Sequence, residues 1–84
     1  MKSSEVYRFV YTRSQGLKRS YDVTINVARL DSGIFEYSAW VHYEGAFKGN
    51  GLIFPLASSN ADDAAAEARR RIGDDIEQLA GVAE

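Results

Sequence analysis

The sequence predicts an α+β domain: a four-stranded antiparallel meander sheet (β-β-β-β-α) with one C-terminal helix packed on one face. Two observations carry that prediction. Four runs rich in β-branched and aromatic residues follow one another through short polar or glycine-bearing connections, too short for a parallel crossover. A single alanine-rich run, Ser58 to Leu79, comes after them with helical spacing. At 84 residues the chain is read as one domain, 1–84, with one small core.

Glu5 to Arg13 (E-V-Y-R-F-V-Y-T-R) contains no breaker and reads as the first strand. Tyr7, Phe9 and Tyr11 fall on one side of it, and Val6, Arg8 and Val10 on the other. The polar segment 14–20 is a hairpin loop. Tyr21 to Leu30 is the clearest strand, because Tyr21, Val23, Ile25 and Val27 alternate with Asp22, Thr24, Asn26 and Ala28. Asp31-Ser32-Gly33 turns the chain into Ile34–Tyr43, in which Phe35, Tyr37, Ala39 and Val41 share one side. Glu44-Gly45 is the next turn. The last strand lies within 46–57, bulged at Gly49 and Gly51 and ended by Pro55, which has no N–H for a ladder.

In the helix, Ala61, Ala65, Ala68, Ile72, Ile76 and Leu79 recur at spacings of three and four and are expected on the buried face. Ser59 or Asn60 is the expected N-cap, and Asp62 and Asp63 suit the positive end of the helix dipole. Gly81 is expected to end the helix in a left-handed conformation. Gly73 costs roughly 1 kcal/mol against alanine in a helix interior, so it is expected to mark a close contact or a bend. Arg69-Arg70-Arg71 reads as a solvated face with salt-bridge partners at Glu67, Asp74 and Asp75.

An apolar content of 45% suits a folded globule rather than a disordered chain. With no cysteine there is no disulfide, thiol nucleophile or cysteine zinc site. No unbroken apolar run follows Met1, and none approaches the length of a membrane span, so a soluble cytoplasmic protein is expected. The net charge of −2 is unevenly spread. Residues 1–30 carry six basic and two acidic side chains, and residues 31–84 four basic and ten acidic.

The residues offer little catalytic chemistry. His42 is the only histidine, and its neighbours along the same strand face are Trp40 and Ser38 rather than metal ligands. Asp62-Asp63 and Asp74-Asp75 are adjacent on a helix and diverge by about 100°. Gly45, Gly49 and Gly51 lack the lysine–hydroxyl ending of a phosphate loop. No catalytic, metal or cofactor site is expected, and an enzyme is the least favoured class.

Two binding readings remain. A single sheet under a single helix leaves its other face open, where Val6, Val10, Ile34, Trp40 and His42 form a candidate protein interface, with a second copy of the chain as one partner. The edge of the first strand is an alternative place for such a contact. The competing reading is a nucleic-acid-binding adaptor using Arg8, Arg13, Lys18 and Arg19 of the basic first hairpin, with tyrosines for stacking. A pI of 5.3 and the lack of an RNP-type aromatic motif speak against it.

The segment from Phe35 to Ile76 resembles the HicB-type antitoxin domain. The matching elements are F-E-Y-S-A-W-V, Gly45, Gly51, the Ser58-Ser59 cap and D-D-A-A-A-E-A-R-R-R-I, about half of the chain. The resemblance implies a toxin-binding, non-catalytic domain. The sequence departs from that family by an added N-terminal hairpin and by having neither a strand after the helix nor a separate DNA-binding segment. No residue's role is carried over.

Overall fold

The structure, a computed structural model, describes residues 3–84. Four strands, β1 (Ser3–Thr12), β2 (Ser20–Arg29), β3 (Phe35–Tyr43) and β4 (Ala46–Pro55), precede one helix, α1 (Ala61–Gln78). The strands form one antiparallel sheet in the order β1-β2-β3-β4, as the short connections require. The β1–β2 register is unbroken from Ser3↔Arg29 to Thr12↔Ser20. The β3–β4 register slips at two places, both where Gly49 and Gly51 weaken the strand. Among the described residues, no helix is long and apolar enough to cross a membrane.

α1 lies across β2 and β3. Beneath it are the inward sides of those strands: Tyr21, Val23, Ile25 and Val27 against Phe35, Tyr37, Ala39 and Val41, all buried as the alternation predicts. Each of the larger of these side chains contributes about 1.5–3 kcal/mol by leaving water. The outer strands are covered differently. The Arg69 guanidinium lies 4.8 Å from the Phe9 ring centroid and 5.7 Å from that of Tyr7, on β1. Arg71 lies 5.3 Å over Tyr37 and 6.0 Å over Phe54, towards β4, and donates to the Pro55 carbonyl at 2.7 Å. The expected solvated arginine face is therefore only partly solvated. Its long arms straddle the helix and roof aromatic rings of β1, β3 and β4. The expected Glu67–Arg71 pair forms at 3.6 Å.

The helix departs from expectation at both ends. Its buried residues are Ala64, Ala68, Ile72, Gly73 and Ile76, whereas Ala61 is exposed and Ala65 half-buried. Alanines at 61, 64, 65, 66 and 68 fit several faces equally, so the bulky end sets the phase. Asn60 is the N-cap, its Oδ1 accepting from the Asp63 N–H at 2.9 Å. At the other end the left-handed cap is Leu79, with φ 53°, and not Gly81. The Ala80 N–H reaches back to the Asp75 carbonyl at 2.9 Å, closing a Schellman-type end. This turn carries Leu79 out to 37% exposure and brings Val82 into the core in its place. Gly73 marks a close contact: a Cβ there would lie 3.0 Å from Tyr11 Cε2.

Candidate interaction surface

The strand register fixes which residues share the sheet face opposite α1. One row runs Val10, Asp22, His42, Phe47; the next Arg8, Thr24, Trp40, Asn50; the next Val6, Asn26, Ser38, Ile53. With strands about 4.8 Å apart, each row spans roughly 14 Å. Among the described residues, no strand or helix covers this face. Its corners are apolar and open, with Val6 at 56%, Val10 at 64%, Phe47 at 55% and Ile53 at 64% exposure. Trp40 sits between them, half-buried against β4. The indole borders Gly51, where a Cβ would meet Trp40 Nε1 at 3.5 Å in ordinary van der Waals contact. His42 packs edge-on against Phe47, ring centroids 5.5 Å apart.

Four of the five expected interface residues, Val6, Val10, Trp40 and His42, are thus brought onto one face. Ile34 is not among them. It precedes β3 in the 30–34 turn, accepting from the Leu30 N–H at 2.8 Å, and is exposed at the end of the sheet. Phe47 and Ile53 belong to the face and escaped sequence reasoning. Two register slips lie between them, and Asn50, of the opposite parity, shares the face, so the period of two does not run through this strand. Asp22, directly opposite His42, and Arg8 give the face both signs of charge.

The basic first hairpin is not one surface. Arg13 is buried, and its guanidinium is held by the end of the helix. Nε donates to the Ile76 carbonyl at 3.0 Å, Nη2 to that of Glu77 at 2.7 Å, and Nη1 to the Glu84 carboxylate at 3.0 Å. Arg19 donates to the Glu84 carbonyl at 2.9 Å and lies 4.4 Å over the Tyr43 ring. Arg8 and Lys18 are exposed, but on the open sheet face and at the loop tip respectively. Two of the four cations named for a phosphate backbone are therefore engaged within the fold.

Beside Arg13 lies a second polar knot. The Glu77 carboxylate accepts from the Tyr11 hydroxyl at 2.6 Å and from the Ser14 N–H and hydroxyl at 3.0 and 2.8 Å. These donors, Tyr11 foremost, hold the Glu77 carboxyl down to about 2. The same bond, with some burial, pushes the Tyr11 hydroxyl up to about 12. Glu67 is lowered in a like manner by the Ser58 hydroxyl and the Ala57 N–H. These groups are bound to structural partners and tie loops to α1.

No protein-family model matches the chain, and no curated protein or solved structure matches it either.

Proposed function

We propose that this chain is a non-enzymatic protein-interaction module that self-associates through its open sheet face. The observation that carries the reading is the set of four large apolar side chains, Val6, Val10, Phe47 and Ile53, each more than half exposed around Trp40. Exposed apolar area grouped on one face favours association, with an aromatic residue as the anchor. The mixture of Arg8 and Asp22 on that face suits a copy of itself, because a two-fold contact can set each against its opposite in the partner. The test is the solution mass of the wild type beside Ile53→Glu and Trp40→Ser. The reading predicts an oligomer whose mass falls in both variants while their folding is retained. A mass unchanged by Ile53→Glu contradicts it.

A further inference from the structure

The two edges of the sheet are built differently. At β4 the main chain is bulged, and several of its polar groups are occupied. The Lys48 carbonyl accepts from the Ala83 N–H at 2.8 Å, the Leu52 N–H donates to Asn50 Oδ1 at 3.1 Å, and Pro55 has no N–H at all. The chain beyond α1 closes on this strand, so tightly that a Cβ on Gly49 would run into the Gly81 carbonyl. Bulges, a proline and a covering segment are how proteins prevent strand addition at an edge.

Among the described residues, β1 has none of these. It is ten residues long, regular throughout, and free of glycine and proline. The Arg13 N–H donates to the Arg19 carbonyl at 2.9 Å, which makes that a hydrogen-bonded pair. By the alternation of an antiparallel ladder, the odd-numbered residues of β1 bond to β2. Ser4, Val6, Arg8, Val10 and Thr12 then turn their N–H and C=O groups outwards.

We propose that this edge takes the β1 strand of a second copy, antiparallel, about a two-fold axis at Tyr7. The contact joins two sheets into one of eight strands and is separate from the open-face contact. Charge favours this register over its neighbour centred on Arg8. Centring on Arg8 would set Arg8 against Arg8 of the second copy, and like charges directly opposite are unfavourable. Centring on Tyr7 pairs Val6 with Arg8 of the second copy, and Glu5 with its Phe9. Arg69 lies 4.8 Å over Phe9, so each Glu5 carboxylate comes beside the Arg69 guanidinium of the other chain. Both helices end on the same side of the joined sheet.

The chain has no cysteine, so single cysteines read the register directly. At the axis, residue 7 meets its copy in a non-hydrogen-bonded pair with Cα atoms about 4.5 Å apart, within disulfide reach. Residue 12 is roughly 34 Å from its copy. Under mild oxidation Tyr7→Cys is expected to become a disulfide dimer far faster than Thr12→Cys. Val6→Pro, which removes an outward N–H and leaves the β2 ladder intact, is expected to abolish that gain. The same pattern in an Ile53→Glu background separates this edge from the open face. Cross-linking of Tyr7→Cys no faster than that of Thr12→Cys overturns the proposal. Should Tyr7→Cys lose its cooperative melt, the mass of Val6→Pro in the Ile53→Glu background decides: a fall from the mass of Ile53→Glu alone supports edge pairing, and an unchanged mass overturns it.

Discussion

Arg13 Nη2 donates to the carbonyl oxygen of Glu77 at 2.7 Å, so the residue that follows β1 caps the last turn of α1. No basic residue stands in that turn. The guanidinium arrives from 64 positions away and places its charge at the negative end of the helix dipole. Its fork also satisfies the Ile76 carbonyl.

Arg13→Ala is expected to cost roughly 2–3 kcal/mol, because hydrogen bonds to a charged group contribute about 1.5–3 kcal/mol and helix carbonyls are left unpaired. For a domain of this size that is a fall in Tm of about 10 °C or more. Arg13→Lys restores the charge but not the fork and should recover only part of the loss. Urea denaturation of the three proteins checks this.

Glu77 sets an acid limit. Its carboxyl falls from an ordinary 4.5 to about 2 in the folded chain. The stability it contributes is fully present above its unfolded value and is lost as pH drops from about 4.5 through about 2. Glu77→Gln should be less stable than wild type at pH 7, and the two should converge in that window. A gap that stays constant from pH 7 to pH 2 contradicts the assignment.

Leu79 occupies a left-handed cap with φ 53°. An L-residue with a Cβ pays about 1 kcal/mol there that glycine does not. Because Leu79 is partly exposed and Val82 closes the core, Leu79→Gly should stabilise the fold by about 0.5–1 kcal/mol. Thermal melts would show the midpoint rising.

At Gly73 the opposite holds. Alanine gains about 1 kcal/mol in helix propensity, yet its Cβ would press on a Tyr11 ring tethered by Glu77. Gly73→Ala is therefore expected to be destabilising. A gain of the full propensity difference in denaturation would show that Tyr11 yields freely.

The strands were legible because their side chains alternate over a half-buried sheet, and β2 shows that period without interruption from Tyr21 to Val27. The start of the helix was not, because alanine carries too little bulk to mark a face. Ile72 and Ile76 marked it correctly. On the candidate surface, Val6, Val10, Trp40 and His42 followed from parity alone. Phe47 and Ile53 were hidden by register slips that the glycines announce but do not size. Arg13 was read as a surface cation because its helix partners lie more than 60 positions away in sequence. Charge in a loop gives no sign of so distant a carbonyl.

The central claim is that the open face associates with a second copy. Light scattering of the wild type and Ile53→Glu, at one concentration and with both shown to be folded, tests it most directly. The account predicts a wild-type mass that is a multiple of 9.3 kDa and a lower mass for the variant. A wild type at 9.3 kDa, or an equal mass in both proteins, contradicts it.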